Sequence, residues 1–418
     1  MTHSQEPSNT PQFSELGIGQ NFLDVLEANH FTTPTPIQHQ VIPAALQGKD
    51  VVGIAQTGTG KTLAFGIPMI QRLALNKGQG LVLLPTRELA LQVDHVFQQV
   101  GKSLGLRTAV IMGGASAHQQ MQSMGKRPHV IIATPGRLVD FLEQKKMSLN
   151  QIRVVVLDEA DRMLDIGFMP QIRKIMDTVP RERQTMLFSA TMPPAIAQIA
   201  AKYMSLPLRI EVAPAGTSAA NVEQEMFIVD KSAKIRLLEK LLKESPGSIL
   251  VFSRTKYGAK RIAAAVNRMG HTAAELHSNR SLSQRKAALD GFKSGKYRVL
   301  VATDIAARGI DVTGISLVIN YDLPDNSEDY VHRIGRTGRA GRLGKAISFA
   351  TPDERANIRE IERLIRKTLP IMGLPELPPA PAGPQPALER SPAGRGSFQG
   401  RRGHRSPGRH GGPPRRRH

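Results

Sequence analysis

The chain has 418 residues, 40% of them hydrophobic, which is enough for more than one compact domain with its own core. It contains no cysteine, which excludes disulfides and thiolate metal sites, and its formal net charge of +21 favours a polyanionic partner. Met1 to Gln12 is polar and lacks the basic start and apolar run of a secretion signal, and no apolar stretch reaches the length of a membrane span, so a soluble, cytoplasmic protein is expected.

In chain order, short β-rich runs alternate with helical patterns. The first half holds Val51 to Ile54, Gly80 to Leu84, Thr108 to Met112, Val130 to Ala133, Val154 to Leu157 and Thr185 to Phe188. Continuous apolar runs fit strands buried on both faces, which predicts an α/β fold with parallel sheets flanked by helices. Around Ala213 to Ala220 the pattern lapses into Pro, Ala, Gly, Thr and Ser, placing a linker at 211–222 between a first domain, 1–210, and a second, 223–370. The second domain carries the runs Ser248 to Phe252, Thr272 to Leu276, Val299 to Ala302, Leu317 to Asn320 and Ala346 to Ala350. Beyond Pro370 the composition turns to Pro, Gly and Arg, with nine arginines against Glu376 and Glu389 and a single aromatic, Phe398. A tail of that make-up, 371–418, is expected to be disordered because it cannot bury enough apolar surface to fold.

The stretch Ala55-Gln56-Thr57-Gly58-Thr59-Gly60-Lys61-Thr62 follows the first apolar run and leads into a helical pattern. Between a strand and a helix, Gly58 and Gly60 let the backbone curl so that its amides face phosphate oxygens. Lys61 brings charge to the terminal phosphates, and the Thr62 hydroxyl can ligate magnesium. Ala55 stands where the general phosphate-loop pattern has its first glycine, which narrows the class. The second landmark is Asp158-Glu159-Ala160-Asp161, directly after the run ending at Leu157. A buried strand would deliver these carboxylates to the sheet edge that carries the phosphate loop, where Asp158 can hold magnesium and Glu159 can orient an attacking water.

At these residues the chain resembles the DEAD-box RNA helicases of superfamily 2, from about Phe13 to about Leu369, with the family's motifs in order. Its compact core, short N-terminus and basic tail resemble the bacterial RhlE-type branch. The resemblance implies two tandem RecA-like domains, ATP and Mg2+ as cofactors, and RNA as substrate. Phe31, Thr33, Pro34, Thr35 and Gln38 resemble the adenine-reading element, in which the ring stacks on the base and the glutamine amide meets its edge, with Phe13 as a supporting aromatic. Ser189-Ala190-Thr191 resembles the motif that couples hydrolysis to duplex separation, together with Asp161 and His332. Thr86 and Arg87, Gly114, Thr134 and Arg137 resemble RNA-contact loops of the first domain, suited to phosphates rather than bases. In the second domain Arg254, Thr303 and Arg308 resemble RNA contacts. Near Arg285 the family has a glutamine three residues earlier, where this chain has Leu282, so Arg285 departs from the pattern.

The same resemblance places Arg336 and Arg339 across the domain gap from the γ-phosphate, and Asp311 near the ribose or the metal-phosphate group. It implies that ATP and RNA both favour a closed arrangement that brings Asp158, Glu159, Lys61, Arg336 and Arg339 together, and that hydrolysis reopens it. The expected function is an RNA-dependent ATPase that locally unwinds or remodels short duplexes or RNA-protein complexes, with ribosome-assembly or RNA-degradation proteins as partners. Two other readings stay open. One is a nucleotide-gated RNA clamp or annealing chaperone, against which Glu159 and Arg336 speak. The other is a DNA helicase, separable by whether DNA stimulates hydrolysis as RNA does.

Overall fold

The structure, a computed structural model, describes residues 11–56, 58–212, 222–307, 312, 314–338 and 343–379. Four expected site residues, Thr57, Arg308, Asp311 and Arg339, lie outside the described residues, as do most of the linker and the tail from residue 380.

Fourteen strands form two sheets of seven. The first contains β1 (Val51–Ile54), β2 (Gln79–Leu83), β3 (Thr108–Ile111), β4 (Val130–Ala133), β5 (Ile152–Leu157), β6 (Gln184–Ser189) and β7 (Leu208–Glu211), in the order β3-β4-β2-β5-β6-β1-β7. The second contains β8 (Val222–Ile228), β9 (Ile249–Phe252), β10 (Ala273–Leu276), β11 (Val299–Ala302), β12 (Leu317–Asn320), β13 (Gly344–Ala350) and β14 (Ile371–Met372), in the order β10-β11-β9-β12-β13-β8-β14. Every pairing is parallel. The central strands β1, β4, β9, β11 and β12 are buried throughout, as their Val- and Ile-rich runs require when helices cover both faces. No helix among the described residues is long and apolar enough to cross a membrane.

Three strands were not legible as apolar runs. β7 is exposed at three of four positions, and β8 alternates Val, Glu, Gln, Glu before reaching Met226 and Phe227. β14 corrects the start of the expected tail: Ile371 and Met372 pair with Met226 and Phe227, and the compact unit runs to Pro378. Leu377 packs against the second domain's core, and the Pro378 carbonyl accepts from Arg236 at 3.4 Å. The folded part therefore exceeds the expected boundary at Pro370.

Parallel strands all end at one edge, so the loops after β1 to β6 converge there. The helix Lys61–Leu75 is fixed beneath that edge by Phe65, whose ring lies 5.4 Å from Phe188 of β6 and 6.1 Å from Phe97.

Candidate nucleotide and nucleic-acid site

The loop after β1 makes the turn that its glycines permit. Gly58 and Gly60 have φ of +88° and +89°, the left-handed region that glycine enters without steric cost. At Gly60 a Cβ would also stand 2.5 Å from the Gln38 amide nitrogen, so a side chain there would have to displace Gln38. Lys61 is buried, and its ammonium donates to the Ala55 carbonyl at 2.9 Å, which keeps the charge inside the loop. Thr59 Oγ1 donates to the Gln56 carbonyl at 2.7 Å, and Thr62 is half-buried on the first helical turn. Gln38 Nε2 donates to the Gly60 carbonyl at 3.0 Å while its Oε1 accepts from the Thr35 amide at 2.9 Å. Both ends of this amide are thus engaged with backbone, and Gln38 braces the phosphate loop against the Thr35 turn. Phe31 packs on the core cluster that contains buried Phe13, and Thr33 is exposed.

β5 delivers the acidic tetrad to the same edge. Asp158 is buried, accepts from the Glu159 amide at 2.9 Å, and is pushed up to about 6 by burial, against the pull of Lys61. Glu159 adopts φ 53°, ψ 51°, an uncommon backbone for a non-glycine residue and a kind of strain that clusters at functional sites. Burial raises its pKa, yet Arg162, Lys61 and Arg336 outweigh that and hold the carboxyl below its ordinary value. Arg162 Nη1 reaches Glu159 Oε2 at 2.8 Å, and both side chains are almost fully enclosed. Sequence reasoning missed Arg162. The sequence showed only an arginine one helical turn after Glu159, a spacing equally common on a solvated helix face.

Asp161 ties three elements together. Its Oδ2 accepts from the Ala190 amide at 3.0 Å, the Thr191 amide at 2.9 Å and Thr191 Oγ1 at 3.2 Å, while its own amide donates to Ser189 Oγ at 3.1 Å. Although burial raises its pKa, His332 of the second domain and Arg162 hold the carboxyl low. His332 is itself pushed down, first by burial and then by Arg162. Arg336, on the turn that follows His332, is 3% exposed and acts on Glu159 across the domains. Arg333 is structural: it pairs with Asp304 at 2.5 Å and bonds Asn320 and the Asp322 carbonyl.

A second groove, of about 290 Å3, is lined from the first domain by Thr86, Arg87, Gly113, Thr134 and Arg137, and from the second by Ser278 and Arg285. Arg87 lies along Gly113 and Gly114; at Gly114, with φ +75°, any Cβ would overlap the guanidinium. Burial, then Arg285, then Arg137 weaken the hold of Arg87 on its proton, with Glu88 opposing. Three guanidiniums crowded against one carboxylate make this an anion-seeking groove. Ile166, Phe168 and Ser278 also line it, and nothing in their sequence context marked them. Arg254, expected among the RNA contacts, is partly exposed and meets Glu354 at 2.7 Å, Asp325 at 3.1 Å and the Leu323 carbonyl at 3.1 Å within its own domain. Thr303 follows β11, and its carbonyl accepts from the Ala306 and Ala307 amides.

Residues 35–199 match the DEAD/DEAH box helicase model, and residues 233–341 match the helicase conserved C-terminal domain model. The chain is 43% identical over 376 residues to the DEAD-box ATP-dependent RNA helicase CshA of Bacillus cereus, covering 89% of this chain and 72% of that protein. It is 45% identical over 362 residues to the ATP-dependent rRNA helicase RRP3 of Candida albicans, covering 86% and 68%. Among solved structures, Saccharomyces cerevisiae Dbp5 bound to RNA and ADP BeF3 superposes with a TM-score of 0.76 at 33% identity, covering 85% of this chain and 93% of that one. Mss116p bound to single-stranded RNA and AMP-PNP gives 0.80 at 27% identity, with 88% and 80% covered. With the order of motifs, the paired parallel sheets and this similarity in agreement, the chain belongs to the DEAD-box family of ATP-dependent RNA helicases.

Proposed function

We propose that this chain is an RNA-stimulated ATPase that opens short RNA duplexes or remodels RNA-protein complexes, hydrolysing ATP between its two domains. One observation carries the reading: the carboxylate of Glu159 sits among Lys61 of the phosphate loop, Arg162 of its own helix and Arg336 of the other domain. The cofactor fit rests on the chain's own groups. The left-handed Gly58 and Gly60 leave backbone amides free of side chains, and the buried Lys61 and Asp158 place a cation and a carboxylate near enough to feel each other's charge, a combination suited to a phosphate and its cation. Magnesium is usually held by one or two carboxylates, substrate phosphates and water, and a single buried carboxylate beside a hydroxyl meets that need. Asp158 and Thr62 would hold it, and when bound it would neutralise charge on the phosphates.

The protein's part in turnover follows from protonation. Glu159, kept anionic by Arg162, Lys61 and Arg336, orients a water and takes its proton. Arg336 supplies positive charge that only the second domain can bring, Arg339 is assigned to the same role by motif, and Asp311 is assigned by motif to the ribose or the metal-phosphate group. Asp161 links that event to the Ser189–Thr191 turn and to His332, so hydrolysis and the domain contact share one carboxylate. RNA is held in the groove of Arg87, Arg137 and Arg285 through phosphates, a mode that carries little base specificity. RNA in preference to DNA follows the family. The rRNA named for the RRP3 relative supports ribosome-assembly proteins as partners ahead of RNA-degradation proteins, and a chain without cysteine suits the cytoplasm.

Glu159→Gln preserves size and hydrogen bonding but cannot accept a proton. RNA and ATP binding should persist while turnover collapses. Near-normal turnover, or stimulation by DNA equal to that by RNA, would overturn the assignment.

A further inference from the structure

The second domain carries a strongly basic stretch, most of which the site above leaves unused. From Arg254 to Arg298 there are eleven lysines and arginines and two acidic residues, Glu275 and Asp290. Lys260, Arg261 and Arg268 of the helix Lys256–Arg268, with Lys286 and Lys293 of the helix Leu282–Lys293 and Lys296 beyond it, are all exposed. None of the six forms an ion pair among the described residues. The adjoining helix Lys234–Glu244 is built differently. There Lys240 pairs with Glu244 at 2.9 Å and Lys243 with Glu239 at 2.7 Å, the matched spacing of an ordinary solvated face.

Between the two basic helices runs a groove of about 450 Å3. Its lining is rich in alanine, including Ala263, Ala274 and Ala287, and also carries Lys260, Gln284 and Tyr297. Small side chains let a backbone lie close, while the larger ones offer charge, an amide and an aromatic face. The one acidic group in the groove, Glu275, is paired with Arg280, which offsets its charge toward an anion.

We propose that this groove carries the sugar-phosphate backbone of RNA flanking the strand held between the domains, an inference that rests on the RNA-helicase reading above. Continuity supports it. The helix Leu282–Lys293 turns Arg285 into the interdomain groove and Gln284 and Ala287 into this one, so RNA leaving the first passes over a single helix into the second. A peptide strand added to the edge strand β10 fits less well. The Asn267 amide already bonds both backbone groups of Ala273, at 2.9 and 3.1 Å, and closes that end of the edge.

The test uses the full chain carrying Lys260→Glu, Arg268→Glu and Lys286→Glu together. Its probes are a short single strand sufficient only for the interdomain groove, the same strand extended by single-stranded uridines, and the same strand extended by a hairpin duplex. ATPase stimulated by the short strand should be unchanged. Binding of an extended RNA should weaken, and its log-log salt slope should become shallower by roughly two to three, since each phosphate contact contributes about 0.7 to 0.9. Whichever extension shows the change identifies the flanking form as single-stranded or duplex. The neutral pair Lys260→Gln and Arg268→Gln should move the slope the same way by less, guarding against damage from charge reversal. Lys240→Glu on the neighbouring helix should leave extended-RNA binding unchanged. Slopes equal to wild type on both extended RNAs would overturn the proposal, as would an equal loss on the short strand. A wild type without RNA-stimulated turnover would instead remove the functional reading and this proposal with it.

Discussion

Glu88 of the first domain and Arg285 of the second meet at 2.9 Å across the interdomain groove, with side chains only 8% and 10% exposed. The contact is one of charge: Glu88 Oε1 and Arg285 Nε have no hydrogen-bond partner among the described residues. The pair therefore favours apposition of the domains and leaves a guanidinium edge for a phosphate. Removing one member of a buried ion pair strands the other, at a cost of about 3 to 5 kcal/mol in enclosed sites. Arg285→Ala and Glu88→Ala should each raise the RNA concentration needed for half-maximal ATPase. The double substitution should cost less than the sum of the two, as a double-mutant cycle would show. Additive losses would mean that the pair does not hold the domains together.

The nucleotide site should choose adenine. Gln38 has a donor and an acceptor to offer a base, yet both engage the Gly60 carbonyl and the Thr35 amide. Loss of this residue should therefore disturb the phosphate loop as well as the base. Gln38→Ala is expected to weaken ATP binding and to lower turnover at saturating ATP, because the brace on Gly60 goes too. Unmodified protein that hydrolyses GTP as well as ATP would remove the adenine reading.

Arg336 should act between domains. Arginine fingers contribute on the order of 10³ to 10⁵ in rate to phosphoryl transfer, so Arg336→Ala should reduce turnover far more than ATP affinity. Single-turnover hydrolysis measured beside nucleotide binding separates the two effects. An isolated first domain ending near Glu211 that hydrolyses ATP with RNA stimulation would contradict a site shared by two domains.

The arginine-rich segment beyond Pro378 should add RNA affinity without chemistry. Its nine arginines against Glu389 can make phosphate contacts, each worth about −0.7 in log-log salt slope for single strands. A chain ending at Pro378 keeps β14 and the Leu377 contact, so it tests the tail rather than the fold. Truncation there should flatten the salt dependence of RNA binding and leave turnover at saturating RNA nearly unchanged. An unchanged slope would assign the tail to solubility or to a protein partner. Truncation at Pro370, by contrast, should also lower thermal stability because it removes β14.

By itself the sequence determined the elements whose chemistry is local. Continuous apolar runs marked most buried strands, because a strand covered on both faces has no polar side to show. The Gly58-Thr59-Gly60-Lys61 spacing defined a phosphate loop, because a left-handed turn and a lysine are properties of adjacent residues. Strands with a mixed pattern escaped it: β7 and β14 are edges, and β8 owes its place to pairing rather than to composition. Everything that depends on distant residues meeting was decided by tertiary structure. Arg162 could not be told from a surface arginine until its helix was packed against Glu159, and nothing in the sequence around Arg254 announced its pairing with Glu354 and Asp325. Likewise Glu88 and Arg285 lie 197 positions apart (285 − 88), and only the apposition of the two domains turns two ordinary helix charges into a buried pair.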